Sequence, residues 1–383
     1  MITRINQDAM IVRLLPDRRA WKEIHYENLK WNVEALRSLL PKHCEFMAVV
    51  KANAYGHGAV PTASYLNRLG VHAFAVATVQ EGVELRLHGI QGEILILGYT
   101  SPHQVHLLTT YDLIQTAADS AHAHALNDAA LYPIKIHIKL DTGMHRLGER
   151  SDHIDDLASI FACEKLQICG MYSHLCVADS QSMEDILFTK LQISAFFRTA
   201  EQLQERGLNP GKLHLQSSYG ALNYPDLPMS YARFGIAMYG CYSSPEPELS
   251  KRIPLRPVLS LHARIAVVKE LREGETVSYG RNFRAEAPMR IAAVTIGYAD
   301  GLPRSLSNKE IPVLIRGQKT HIIGNICMDQ MVVDITRIPD ARPGDIVTIL
   351  GTDGAYTLHA EDLAKAAGTI TNELLCRLNL REE

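Results

Sequence analysis

Lys51 is the residue with the clearest chemical promise. It ends an apolar run, Phe46 to Val50, and is followed by Ala52-Asn53-Ala54-Tyr55-Gly56-His57-Gly58. The run reads as a short buried strand. A lysine at its end is partly desolvated, and a desolvated ammonium gives up its proton more readily. The neutral amine is the form that makes a Schiff base. Tyr55 follows within the same loop, close enough to reach the same pocket. A lone lysine of this kind is ordinarily a snorkelling side chain. The asparagine, tyrosine and two glycines packed into one turn set this one apart.

Other strand ends carry groups of the same promise. Ile136 to Gly148 places Lys139, Asp141 and Arg146 around a glycine turn. Arg146 could grip a carboxylate or a phenolate with two parallel hydrogen bonds, or simply pair with Asp141 at the surface. Tyr172-Ser173-His174 and Tyr231-Ala232-Arg233-Phe234-Gly235-Ile236 each end a short apolar run. Gln216-Ser217-Ser218 offers hydroxyls and backbone amides at a helix start, a setting that suits phosphate. Val277-Ser278-Tyr279-Gly280 sets a tyrosine beside a glycine, usually no more than a half-buried aromatic.

These residues need a frame. The chain has 383 residues, which calls for about two domains. Eight short apolar runs alternate with helical stretches: 46–50, 73–77, 94–97, 113–116, 134–140, 166–171, 213–216 and 232–236. Helices are expected between them, as at 79–87, 121–131 and 184–205. That alternation predicts an α/β fold with an N-terminal (β/α)8 TIM barrel, whose chemistry sits where the strands end. Ser243-Ser244-Pro245-Glu246-Pro247 breaks the pattern. Val- and Ile-rich runs follow at 259–268, 291–296, 312–315, 321–323, 331–335 and 345–350, and a hairpin turn is expected at 316–319. The end, 359–378, reads as helical. The expected division is residues 1–20 as a linker or upstream remnant, 21–250 as the barrel, and 251–383 as a β-rich C-terminal domain.

Composition narrows the class. Lys+Arg 39 against Asp+Glu 42 leaves a net charge of -3, which argues against a nucleic-acid partner. No apolar run is long enough to span a bilayer, so this chain is expected to make no membrane contact itself. The seven cysteines form no C-x-x-C pair. They are expected to be reduced thiols of a cytoplasmic domain. The 17 histidines show no metal-binding spacing, and no metal is expected.

The motifs together resemble the alanine racemase family, the barrel-fold pyridoxal-phosphate enzymes. The resemblance covers residues from about 21 to 378, in six or more segments in the right order. It implies pyridoxal 5'-phosphate held by Lys51, with Tyr55, Arg146, His174, Ser218, Arg233, Gly235 and Ile236 around the cofactor. Arg233 would face the pyridine nitrogen, with His174 as its buttress. An arginine cannot surrender its proton there, so the ring would stay neutral and the carbanion short-lived. Lys139 matches a lysine that is often carbamylated in the family, giving Arg146 an anionic partner. Tyr279 matches the second catalytic base, which reaches into the other subunit's barrel. A racemase needs a base on each face of the planar intermediate. Lys51 would serve the D side and Tyr279 the L side, which makes the expected active unit a homodimer with shared sites. Tyr298, Met328 and Asp329 match residues that line the partner's substrate entrance.

Three departures matter. His145 stands where the family more usually has glycine, so the local turn is expected to differ. Ser217 replaces the usual asparagine of the phosphate site. Asn372 stands where alanine racemases usually carry tyrosine, and the usual R-V-P-R tail is missing. Asparagine opens space and offers a donor and an acceptor, which suits a serine hydroxymethyl group. With this change the chain resembles the racemase domain of the membrane-bound serine racemases of vancomycin resistance. The resemblance implies racemisation of L-serine, with L-alanine as a slower substrate, by a domain of a membrane-anchored parent. The alternatives are an ordinary alanine racemase serving the cell wall and a non-catalytic pyridoxal-phosphate carrier. The β-rich stretch with Tyr279 weighs against the carrier, and Arg233 weighs against related barrel decarboxylases.

Overall fold

The computed structural model describes residues 18–245, 247–249 and 253–381. They fall into two compact units, one built on Tyr26–Tyr242 and one on the segment before Tyr26 together with Pro257 onward.

The first unit is a parallel (β/α)8 barrel. Its strands are Glu45–Val49, Ala73–Val76, Glu93–Ile96, Ile114–Ala117, Ile134–Asp141, Leu166–Tyr172, Lys212–His214 and Tyr231–Phe234, each beside the next in chain order. Tyr231–Phe234 also pairs with Glu45–Val49, from Tyr231↔Glu45 to Phe234↔Ala48. Two backbone bonds complete the ring: Ser230 N to Leu213 O at 2.7 Å and Arg233 N to Gln216 O at 3.1 Å. The strands are apolar along most of their length because both faces are covered, the signature of a parallel sheet. Met47, Ala48, Phe74, Leu95 and Ile136 are wholly buried. The eight runs expected from sequence fall on these strands, with ends displaced by a residue or so. The helix Val79–Leu87 begins on a capping box, with Thr78 Oγ1 accepting from Glu81 N.

The second unit is an eight-stranded antiparallel sheet. Leu259–Leu271 pairs with both Met289–Val294 and Ile346–Asp353, so the sheet returns on itself. Pro312–Ile315 and Gln318–Ile323 form the expected hairpin. Its two-residue loop, Arg316 (φ 53°) and Gly317 (φ 72°), is left-handed at both positions, which matches the twist of the flanking strands.

Two boundaries differ from expectation. The strand Ala20–Ile24 pairs antiparallel with Leu259–Leu271, so residues 21–24 belong to the second unit and not to the barrel. Trp21 packs against His262 there, with ring centroids 5.4 Å apart. The rest of the expected linker, residues 1–17, lies outside the described residues. The C-terminal helical stretch is two helices, Ala360–Ala367 and Thr371–Arg377, because Gly368 ends the first in a left-handed cap (φ 77°).

Candidate active site

The residue after the first barrel strand begins an unusual turn. Lys51 opens it, and Ala52, Asn53, Ala54 and Tyr55 all have φ between 52° and 54°. Each such non-glycine residue costs about 1–2 kcal/mol. A run of four persists only because its surroundings fix it. Glu81 does much of that. Its Oε1 accepts from Ala52 N at 2.7 Å while its Oε2 accepts from Ala77 N at 2.6 Å. Asn53 Oδ1 accepts from Ala59 N at 2.7 Å, closing the far end. The turn sends Tyr55 inward, where it is buried beside Tyr239. A Cβ on Gly235 would lie 2.5 Å from the Tyr55 hydroxyl, so only glycine admits that approach.

Gly235 N donates to Ser218 Oγ at 3.2 Å, and Ala237 N reaches the same oxygen at 3.5 Å. Ile236 lies buried between them. Arg233 is 3 % exposed, and both terminal nitrogens of its guanidinium are hydrogen-bonded. One end donates to His214 Nδ1 at 2.8 Å. The other meets Ser173 O at 2.8 Å, Leu215 O at 3.1 Å and His174 Nδ1 at 3.2 Å. Burial lowers its pKa to about 10, which still leaves it charged at neutral pH. Burial, then Arg233, Arg146, Lys139 and Lys51, holds His174 well below its ordinary pKa. A neutral His174 can therefore accept from Arg233, as the expected buttress must.

Lys139 is buried and donates to Leu140 O at 2.7 Å, with its ammonium 5.4 Å from the Tyr172 ring centroid. Burial, then the Arg233 charge, lowers its pKa to about 7. Arg146 is exposed on the turn that follows. Asp141 does not pair with it. Asp141 Oδ1 accepts from Gly143 N and His145 N, both at 3.0 Å, and its Oδ2 lies 2.9 Å from His145 Nδ1. His145 takes a left-handed conformation (φ 54°), the one a glycine there would favour. The imidazole contact with Asp141 offsets that strain.

In the antiparallel unit, Tyr279 sits on a loop with its side chain 71 % exposed. Tyr298 N donates to Cys327 O and Ala299 N to Met328 O, both at 3.0 Å, which ties the Tyr298 turn to Met328 and Asp329. A Cβ on Gly297 would fall 2.4 Å from the carbonyl oxygens of both Cys327 and Met328. Asp300 is 1 % exposed, and its Oδ1 and Oδ2 both accept from Arg19 Nη2, at 2.6 and 2.7 Å. Arg381 spans Asp300 and Asp329, at 3.0 and 2.7 Å. Asn372 Oδ1 accepts from Ser243 Oγ at 2.9 Å.

Sequence reasoning passed over Glu81, His214 and Asp300. The first had a visible signal, the T-x-x-E capping box at Thr78–Glu81. The other two act through partners far away in the chain.

The N-terminal domain model of alanine racemases matches residues 24–243, and the C-terminal domain model matches 258–383. The chain belongs to the alanine racemase family. An alanine racemase of a Nostoc strain is 42% identical over 94% of this chain and 93% of its own. The solved alanine racemase of Clostridium difficile 630 superimposes with a TM-score of 0.87 at 34% identity, over 94% of both chains. A serine/alanine racemase of Enterococcus gallinarum is 40% identical over 96% of this chain and 51% of its own. The chain spans about half the length of the Enterococcus amino-acid racemases and serine/alanine racemase it matches.

Enzymes of this racemase family use pyridoxal 5'-phosphate, and the barrel fits it. A strand-end amine, a hydroxyl that gathers two amides, and a buried guanidinium with a charge it keeps are the groups an aldehyde, a phosphate and a ring nitrogen require.

Proposed function

We propose that this chain interconverts the L and D forms of serine, with alanine as the slower substrate, by a two-base mechanism in a homodimer. Pyridoxal phosphate supplies, when bound, an electron-withdrawing system that acidifies the α C–H bond of an attached amino acid. Lys51 is the residue that would hold its aldehyde carbon, Ser218, Gly235 and Ile236 its phosphate, and Arg233 its ring nitrogen, with Tyr55 beside the phosphate. Arg146 orients the phenolic oxygen and the substrate carboxylate. Lys51 moves the α proton on the D side, and Tyr279 of the partner subunit moves it on the L side. Each base reaches one face alone, so inversion needs both. Arg233 keeps its own proton at neutral pH, which favours quick return of the α proton over side reactions. Lys139, with its lowered pKa, presents the neutral amine that carbamylation by carbon dioxide consumes; the carbamate would be the anionic partner of Arg146. Tyr298, Met328 and Asp329 line the entrance for substrate.

Asn372 carries the preference for serine. Its Oδ1 is engaged by Ser243, which leaves Nδ2 as the group that donates to a substrate hydroxyl. Asn372 is partly buried, and a donor made for a hydroxyl disfavours the substrate lacking one. The experiment is to incubate the holoenzyme with L-serine and L-alanine and measure the D products, then repeat with Asn372→Tyr. The substitution should move the serine-to-alanine ratio of kcat/KM about 10- to 100-fold towards alanine. An unchanged ratio removes the argument and leaves an ordinary alanine racemase for the cell wall.

The cellular role we propose is the supply of D-serine for altered peptidoglycan precursors in vancomycin resistance, on the cytoplasmic side of a membrane-anchored parent. The 40% identity to the serine/alanine racemase of Enterococcus gallinarum, together with Asn372, supports the serine activity that this role requires. Among the described residues, no helix is long and apolar enough to cross a membrane. Restored vancomycin resistance in a host lacking its own serine racemase tests the role; no restoration argues against it.

A further inference from the structure

The loop that presents Tyr279 is gripped by a residue outside it. Ser278 (φ 64°), Gly280 (φ 75°) and Arg281 (φ 52°) are all left-handed, so the segment stores strain at two non-glycine positions. The exposed Tyr279 ring does not hold it. The short pairing of Thr276–Val277 with Phe283–Arg284 anchors its base, over a cluster of Val277, Ile291 and Ile323. Asn325 anchors its middle. Asn325 is 7 % exposed, and its Nδ2 donates to the Tyr279 carbonyl at 2.6 Å. Its own backbone oxygen accepts from Ser278 Oγ at 2.6 Å. Its Oδ1 accepts from Asn308 Nδ2 at 3.0 Å. A carbonyl can only accept, so the amide's orientation is fixed: nitrogen to Tyr279, oxygen to Asn308. The chain passes directly beneath the loop at Gly324, where a Cβ would lie 3.1 Å from Val277 O.

We propose that Asn325 is a positioning residue for Tyr279. Its carboxamide fixes the Tyr279 peptide plane, and with it the direction in which the phenol leaves the backbone. It also joins that loop to the strand end that continues into Met328 and Asp329. The proposal rests on the reading of Tyr279 as the L-side base.

Face-specific exchange tests it. Net racemisation must slow equally in both directions, because the two isomers have equal free energy. Exchange of the α proton in deuterium oxide reports each base separately. Asn325→Asp is nearly isosteric but turns an oxygen towards the Tyr279 carbonyl. In the holoenzyme it should slow α-proton exchange of the L isomer about 10- to 100-fold, the cost of a base misplaced by about an ångström. Exchange of the D isomer should stay within about twofold, since Lys51 is untouched. Asn308→Ala removes only the outer bond and should give a smaller loss with the same one-sidedness, should the aspartate variant fold poorly. Tyr279→Phe is the reference. Equal losses for both isomers in the Asn325 and Asn308 variants would show a merely structural role and overturn the proposal. So would intact L exchange in those variants while Tyr279→Phe abolishes it. If Tyr279→Phe itself leaves L exchange intact, the base assignment falls and the clamp falls with it.

Discussion

Arg233 and His214 face each other across 2.8 Å inside the barrel, guanidinium to Nδ1. Because Nδ1 accepts, the His214 proton resides on Nε2, which lies 2.8 Å from His137 Nδ1 and donates to it. Burial keeps both imidazoles neutral, with His137 lowered to about 4 and His214 well below its ordinary value. The relay fixes one end of the arginine that would face the cofactor's ring nitrogen.

Replacing His214 with leucine should therefore act on stability and rate together. It leaves an Arg233 N–H without its acceptor in the core, which costs about 1–3 kcal/mol. We expect a lower midpoint in urea and a kcat reduced about tenfold for serine and alanine alike. An unchanged kcat would show that the other end of the guanidinium suffices.

Lys139 yields a pH dependence with a definite sign. Its folded pKa, about 7, lies below the unfolded value, so the unfolded state binds more protons between them. Its contribution to stability is least below pH 7 and rises as pH increases above it. The neutral amine also becomes available over that range. Uptake of labelled bicarbonate onto Lys139, followed by carbon NMR, should grow from below pH 7 to above it, and Lys139→Ala should abolish it. Labelling independent of pH would place the carbamate elsewhere.

Asp300 gives the same sign in a lower pH window. Burial alone would raise its pKa, but donors from Arg381, Gly297 and Arg19 outweigh burial and hold it below the ordinary carboxylate range. Its contribution is present at neutral pH and lost as pH falls through its lowered pKa. Asp300→Asn should flatten the acid limb of a stability–pH profile. Asp300→Ala should cost about 1–3 kcal/mol, since it removes the buried acceptor of Gly297 N while Arg19 and Arg381 keep access to water. The turn that carries Tyr298 should loosen with it, raising KM more than it lowers kcat.

Local pattern carried most of the fold. The barrel strands were legible because a parallel strand is apolar on both faces, as at Met47–Val49 and Ile94–Ile96. The hairpin at Arg316-Gly317 was legible because its turn demands those conformations. The strand Ala20–Ile24 was not, since it is mostly half-buried, carries its polar Lys22 and Glu23 side by side without alternation, and pairs with residues some 240 positions later. In the site, Lys51, Arg233 and Tyr279 stood out by motif. Their supports did not. Glu81, His214 and Asn325 act through contacts that only the folded chain creates, and the left-handed run Ala52–Tyr55 defies the propensity of the residues that form it.

The central claim is that one substrate is worked on by Lys51 of one chain and Tyr279 of another. Mixing inactive Lys51→Ala and Tyr279→Phe proteins, unfolding them together and re-forming dimers at random tests it most directly. Half of the dimers should be mixed, and each mixed dimer has one intact site, so activity should return to about one quarter of the native level. Activity that stays at the level of the separate variants would contradict shared sites and the account built on them.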